Sequence, residues 1–334
     1  MNLPPPALHP DPPARPGPAL DTVRQTMQAN PALIRSARYD KFAGRLQSTT
    51  AARRAADSHS DSGEHDGLPL VSVVTVVLNR EATLPDAMRS VFEQSYGGEI
   101  EYILIDGGSS DGTVDLIRSA SDRIAVWISE KDGGISDAFN RGLALANGEI
   151  IGILNSDDWY ESDTIDRVVA AFRESPGVGV ACGRLQYWKG DQADAIFPSR
   201  PEQLGVDMTV NHPTMFVHRE LYERGGLLKL DYRYAMDYEL ALRFQAMGAR
   251  FASIDGVLAN MRYDGAADRN WYRSLREMRK AQREIYPGRF AFAYALKFLR
   301  SVTARLLAAL GLGGLNRFYR SRISRFRRSY ENAD

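Results

Sequence analysis

An α/β fold, with a mostly parallel sheet flanked by helices, is predicted by three features of this sequence. Apolar runs rich in β-branched residues recur at 71–78, 100–105, 124–128 and 150–154. Helical patterns separate them, and polar turn residues punctuate each junction. Strand alternating with helix in short units requires a crossover at every step, which lays helices on both faces of a parallel sheet.

The elements follow in order. The run 71–78 is nearly unbroken in valine and threonine, the composition of a strand buried on both faces. Leu84, Ala87, Met88, Val91 and Phe92 then fall on one helical face. After the second strand, Asp111 is placed to cap a helix carrying Val114 and Ile117. A third strand leads to a helix over 136–146, with Ser136 as its cap and Asn147-Gly148 as its stop. The fourth strand, 150–154, runs directly into Asn155-Ser156-Asp157-Asp158. The second half is less regular: a strand-like stretch at 209–218, then helices at 237–247 and 270–286, ended by Gly248 and Pro287.

Residues 1–66 read as a mostly disordered arm. Eight prolines fall within the first 18 residues, and 58–67 is polar and acidic, while 19–55 has room for a helix or two. The opening Met-Asn-Leu-Pro-Pro-Pro has neither the basic start nor the apolar core of a secretory signal, so none is expected. Lys+Arg and Asp+Glu both number 42, which gives no whole-chain attraction to nucleic acid. The one cysteine, Cys182, lies in an apolar run and reads as a small core residue. A chain so poor in cysteine fits a reducing compartment.

Ligands of such sheets bind at the carboxyl ends of the strands, which directs attention to Asn79, Asp106 and 155–158. Asp157 and Asp158 are adjacent carboxylates at a strand end, and their repulsion is offset by a hard divalent cation bound through oxygen. The competing reading makes Asp158 a helix cap. Asp106-Gly107-Gly108-Ser109-Ser110-Asp111-Gly112 permits close backbone approach to a ligand, with Asp106 able to accept from a base or ribose. It lacks both the dinucleotide glycine spacing and the lysine of a phosphate loop. The segment 130–142, with Asp132 near its start, opens a helix toward the same crevice.

Together these motifs, in this order and spacing, resemble the family 2 glycosyltransferases. The likeness is strong over 70–160 and thins toward 265. It implies a GT-A fold with a Rossmann-like sheet and a nucleotide-diphosphate-sugar donor, with inversion at the anomeric carbon. On that pattern Asn79, Glu81 and Asp106 lie at the nucleoside, with Asp132 nearby. Asn155 and Asp157 occupy the first and last positions of the D-x-D motif, which holds ribose and a divalent metal, Mn²⁺ or Mg²⁺. Asp157 is the expected metal ligand, and Asp158 a second ligand or an orienter of the first. Asn155 departs from the acidic form, which weakens a metal site without excluding ribose contact. Asp237 matches the family's general base, which takes the proton of the attacking hydroxyl. Its competing reading is a helix N-cap, and Glu239 is the alternative base. His212 is assigned to a phosphate or the acceptor, against a purely structural role.

The implied domains are the arm at 1–66, a transferase domain at 67–265 and a basic helical region at 266–334. No acid occurs between Glu284 and Glu331, while ten lysines and arginines do. Leu296, Leu299, Val302, Leu306 and Leu310 repeat at helical spacing, and Leu315, Phe318, Tyr319, Ile323 and Phe326 form a second pattern. Such basic amphipathic helices suit an anionic membrane surface. The expectation is a cytoplasmic protein, peripheral at the inner face of the membrane, transferring sugar to a glycan or lipid-linked acceptor without nucleic acid. Three rivals remain. A nucleotidyltransferase would carry a Gly- and Arg-rich loop after its first strand, and 77–81 does not. A non-catalytic scaffold would bind no nucleotide. An RNA-binding tail would bind in a salt-dependent way.

Overall fold

The computed structural model describes residues 17–36, 39–43, 67–262 and 270–310. At its centre lies β2 (Val71–Val77), after β1 (Ile34–Arg35), and all seven residues of β2 are buried. Val74 and Val76 face one core layer, while Val71, Val73 and Val77 face the other. A strand covered on both faces must be apolar on both, which explains the unbroken run. β3 (Ile100–Asp106) and β5 (Ile150–Asn155) pair with it in parallel, and β4 (Val126–Ser129) lies parallel outside β3.

The remaining strands are β6 (Trp159–Tyr160), β7 (Val178–Lys189), β8 (Gln192–Phe197), β9 (Phe216–His218) and β10 (Arg250–Arg262). Across the sheet the order is β1-β4-β3-β2-β5-β9-β7-β10-β6, with β8 pairing to β7. The central strands are parallel as expected. Antiparallel β1, β6, β8 and β9 make the whole sheet mixed. Those four are short pieces or one arm of a hairpin, so they need no helical crossover. The stretch expected as strand at 209–218 is shortened to β9, because His212-Pro213-Thr214 winds into a 3₁₀ turn instead.

Helices cover both faces. α1 (Leu20–Gln28), α4 (Ile135–Leu145), α6 (Arg219–Gly225), α7 (Met236–Ala246) and α8 (Trp271–Ile285) form one layer. Leu20, Phe139, Leu143, Tyr222, Leu240 and Met278 share its core. On the other face, α2 (Leu84–Phe92), α3 (Thr113–Ser119) and α5 (Thr164–Glu174) contribute Leu84, Val91, Ile117, Ile165 and Val168. Each such buried side chain contributes about 1.5–3 kcal/mol, so both layers hold the sheet. α9 (Ala291–Ala309) lies outside α8, packed through Tyr294 and Phe298.

Both expected outer boundaries shift. Part of the arm belongs to the folded body: Arg24 donates to the carbonyls of Ala144 (2.8 Å) and Ala146 (2.6 Å), and β1 extends the sheet beside β4. Those carbonyls lie at the C-terminal end of α4, where an arginine is favoured by the helix dipole. At the other end, Leu275, Met278, Ala281 and Ile285 of α8 are buried in the main core, so α8 is part of the domain rather than of a tail. The proline-rich start, the acidic stretch before 67 and the second apolar pattern at 315–326 lie outside the described residues.

The strand order positions the site. From β2 the chain moves to β3 and β4 on one side, then returns to add β5 on the other. That reversal opens a crevice at the carboxyl ends of β2 and β5. Asn79, Asp106 and Asn155 stand at three neighbouring strand ends there. Because β9 runs antiparallel to β5, the turn at His212, which precedes it, also reaches the carboxyl end of β5.

Candidate active site

Two loops at the carboxyl ends of β2 and β3 are laced together. Asn79 adopts φ 52°, a left-handed conformation that asparagine tolerates. Its amide donates to Ser109 Oγ at 2.8 Å, and its Oδ1 accepts from Ser110 N at 2.8 Å. Glu81 accepts from Gly112 N at 3.1 Å, and its own amide donates to Asp111 at 3.2 Å. Asp111 also accepts from Thr113 N at 3.0 Å, but it is not the expected cap, since the N-cap of α3 is Gly112.

Asp106 is fully buried beneath these loops. Its carboxylate accepts from Gly108 N, Ser109 N, Ser109 Oγ and Ser129 Oγ, at 3.1, 3.0, 2.5 and 2.7 Å. Four donors leave its oxygens occupied by the protein itself. Asp132 sits across from it: a Cβ on Gly107 would come within 2.5 Å of the Asp132 carboxylate, so a larger residue there would displace that side chain. Asp132 Oδ1 accepts from Gly134 N at 2.8 Å and shapes the turn into α4. Ser136 does not cap that helix; it lies inside the first turn and donates to the Tyr232 carbonyl at 3.0 Å. Arg141 is no free surface charge either, since it pairs with Glu130 (2.6 Å) and Asp137 (2.9 Å).

The two central carboxylates have opposite environments. Asp157 has a side chain 40% exposed, with Arg80 Nε at 3.9 Å. Asp158 is 1% exposed, and Asn155 Nδ2 donates to it at 2.9 Å. Burial first, and the neighbouring Asp157 charge second, raise the Asp158 pKa well above the usual carboxylate range. The helix-cap reading of Asp158 fails: α5 begins at Thr164, with Asp163 before it. Arg262, from the end of β10, holds the loop from behind. It donates to the Asp157 carbonyl (2.7 Å) and to Asp86 (2.5 Å), with its guanidinium 4.4 Å from the Trp159 ring centroid.

Among the described residues no group of three His, Cys, Asp or Glu side chains converges as a metal cage. One exposed carboxylate with a second behind it fits a different kind of site. A hard cation such as Mg²⁺ is commonly held by one or two carboxylates and completed by substrate phosphates.

His212 and Asp237 lie near enough to interact electrostatically. The His212 ring packs edge-on against Phe139, with centroids 5.9 Å apart. Burial lowers the imidazole pKa from its ordinary value, and the nearby Asp237 carboxylate offsets part of that. Asp237 is half-buried in the first turn of α7 and is not its N-cap, which is Ala235. Its Oδ1 accepts only locally, from Tyr238 N at 2.8 Å. Glu239, two residues on, is withdrawn from the crevice. It is fully buried between Arg243 Nη2 (2.9 Å) and Lys229 Nζ (3.0 Å), which removes it as a base. Cys182 is buried, and burial pushes its thiol up to about 12, in keeping with a core role.

The model of the family described as "Glycosyl transferase family 2" matches residues 72–224. An uncharacterized glycosyltransferase of Mycobacterium tuberculosis (strain ATCC 25618 / H37Rv) is 34% identical over 180 residues, 52% of this chain and 68% of that protein. This chain belongs to glycosyl transferase family 2. The "PGL/p-HBAD biosynthesis glycosyltransferase" of Mycobacterium bovis (strain BCG / Pasteur 1173P2) is 30% identical, over 52% of the transferase and 69% of the relative.

Solved structures show the shared GT-A fold. Mannosyltransferase PcManGT from Pyrobaculum calidifontis, in complex with GDP-Man and Mn²⁺, aligns with TM-score 0.54 and 18% identity. The match spans 90% of this chain and 94% of that one. S. aureus TarS 1-349 with UDP-GlcNAc gives 0.53 and 16%, over 69% and 71%. The transferase spans 43% of the longer TarS chain.

Of the residues singled out from the sequence, Asn79, Glu81, Asp106, Asp132, Asn155, Asp157, Asp158 and His212 lie at the strand ends or in the adjoining loops and turns, Asp237 lies in the first turn of α7, and Glu239 and Cys182 lie in the core. Three contributors were not visible beforehand: Arg80, Arg262 and Ser129. Arg262 lies 105 positions from Asp157, beyond any local motif. Arg80, next to Asn79, was readable only as one more charge in a turn.

Proposed function

We propose that this transferase moves a sugar from a nucleotide-diphosphate-sugar to a glycan or lipid-linked acceptor, with inversion at the anomeric carbon. The observation that carries this reading is the division of labour across the crevice. An exposed Asp157 stands at the switch-point strand end, and a half-buried Asp237 stands beside His212 opposite it.

On this reading, Asn79, Glu81, Asp132 and Asn155 border the nucleoside. Asp106 organises their loops through its four donors. Asp157 would hold Mn²⁺ or Mg²⁺ against the diphosphate, with Arg262 holding its backbone carbonyl and Asp158 tied to the side chain of Asn155. Such a metal would neutralise charge on the departing nucleoside diphosphate. Arg80, beside Asp157, adds positive charge on the same side. Asp237 takes the proton from the acceptor hydroxyl as that oxygen attacks the anomeric carbon. His212, kept neutral by burial, orients the acceptor or a phosphate oxygen.

The first test is melting temperature against a panel of nucleoside diphosphates with and without Mn²⁺ or Mg²⁺. Ligand bound only by the native state stabilises it by mass action, about 2.7 kcal/mol at a hundredfold excess over Kd, and so raises the melting temperature. A metal-dependent rise with one nucleotide, absent in Asp157→Ala, is the expected result. No rise with any nucleotide would favour a non-catalytic scaffold.

The acceptor side is proposed to lie at the inner face of the cell membrane, with the protein cytoplasmic and peripheral. No helix among the described residues is long and apolar enough to cross a bilayer. Instead α9 turns Tyr294 and Phe298 inward and leaves Phe292, Leu299, Leu306 and Leu310 exposed at 83, 61, 57 and 70%. Lys297, Arg300 and Arg305 are its charged residues, and all are basic. An interfacial helix on an anionic surface has this make-up. Exchanging Phe292, Leu299 and Leu306 for serine together is expected to cut co-sedimentation with phosphatidylserine-containing vesicles at least about tenfold. Undiminished vesicle binding by the triple variant would overturn the assignment to this face.

A further inference from the structure

We infer that Glu277 of α8 is a positioning residue for Asp237, an inference that rests on the base assignment above. Glu277 Oε2 accepts from three successive backbone amides, Arg233 N (3.0 Å), Tyr234 N (2.7 Å) and Ala235 N (2.9 Å). Those residues lead directly into α7, whose first turn carries Asp237.

Three amides converging on one oxygen are not a feature of a helix start by itself. The first amides of a helix lack intrahelical partners, and those just before it depend on a side chain or water. Here a carboxylate from another helix gathers them, and bonds to a carboxylate are roughly twice as strong as neutral ones when it carries its charge. Peptide units 233–235 are thereby locked, and with them the exit direction of α7. Among the described residues the Asp237 side chain accepts only from Tyr238 N, so its place in the crevice follows from its backbone.

Glu277 does not act alone on α8. Arg273, Glu277, Lys280 and Glu284 recur at steps of four, three and four, so they share one helical face. All four reach the segment 229–234. Arg273 approaches the Tyr234 hydroxyl at 3.5 Å, Lys280 pairs with Asp231, and Glu284 meets Lys229 (3.2 Å) and the Tyr232 hydroxyl (3.1 Å). That face of α8 is a splint for the loop that delivers the base. The site's nucleotide side, built on β2, β3 and β5, makes none of these contacts. Ser136 of α4 does bond the Tyr232 carbonyl, outside the amides that Glu277 holds, so losing Glu277 is expected to lower turnover more than donor binding.

The test compares Glu277→Ala, Glu277→Gln and Asp237→Asn in the full chain. Amide hydrogen exchange is read at 233–235. Nucleoside diphosphate release is measured from the nucleotide-sugar that gives the thermal shift, with a cellular lipid extract as acceptor. In Glu277→Ala, exchange at 233–235 is expected to speed up and kcat to fall up to about 10²-fold, with donor KM within about twofold of the parent. Glu277→Gln keeps an acceptor oxygen without the charge and should fall between the two. Unchanged kcat in Glu277→Ala, or a loss of donor affinity equal to the loss of kcat, would overturn the inference. Should the alanine variant not fold, parental exchange and kcat in Glu277→Gln would do the same. Full activity in Asp237→Asn would instead remove the base assignment, while the exchange result would still report on the clamp.

Discussion

Asp237→Asn is expected to lower kcat by about 10²–10⁴-fold while leaving metal-dependent nucleotide binding intact. Asparagine keeps the shape of the side chain and the bond its Oδ1 accepts from Tyr238 N. It cannot take a proton from the acceptor hydroxyl. The nucleotide side of the crevice is built from the ends of β2, β3 and β5, so the melting-temperature shift with nucleoside diphosphate should survive. Steady-state turnover and the thermal shift, measured on the same preparation, separate the two effects. If turnover fell less than about tenfold, another group would have to be the base. Glu239 would not be that group, since Arg243 and Lys229 hold its carboxylate.

Glu239→Ala should produce the largest loss of stability of any single carboxylate change, about 3–5 kcal/mol. Its side chain is completely buried, and the partner side chains of Arg243 and Lys229 are 1% and 10% exposed. Arg243 also donates to the carbonyls of Gly225, Gly226 and Leu227, so it closes the C-terminal end of α6 while bonding α7. Removing Glu239 leaves Arg243 with no carboxylate partner among the described residues, and Lys229 with Glu284, which Lys280 also approaches at 3.9 Å. For a domain stable by about 5–15 kcal/mol, a loss of that size is a large fraction of the total. Urea denaturation of the variant should show a lower midpoint with the same slope. An unchanged midpoint would mean that this network contributes nothing to holding α6, α7 and α8 together.

The two results distinguish neighbouring acids that the sequence treats alike. Asp237 and Glu239 both fall in Asp237-Tyr238-Glu239, and either could serve as base on charge alone. Helical geometry already turns them to different faces. Only the surroundings show that one face is a crevice and the other a core. The same holds for Asp157 and Asp158, one exposed beside Arg80 and the other buried against Asn155.

The sequence by itself determined the parallel centre of the sheet, the helices between its strands and the strand ends to which the proposed site is assigned. These are local properties. β-branched runs, helical spacing and turn residues act over a few positions, and the switch-point rule then converts strand order into a site. Tertiary structure alone decided which side chains remain available. Asp106 is occupied by its own loop, Arg262 reaches Asp157 from 105 residues away, and Glu277 gathers amides more than 40 residues upstream. It also decided that α1 and α8 join the core and that α9 leaves an apolar stripe outside. A carboxylate's role depends on the donors and the solvent around it. Those donors come from elements that only the folded chain brings together.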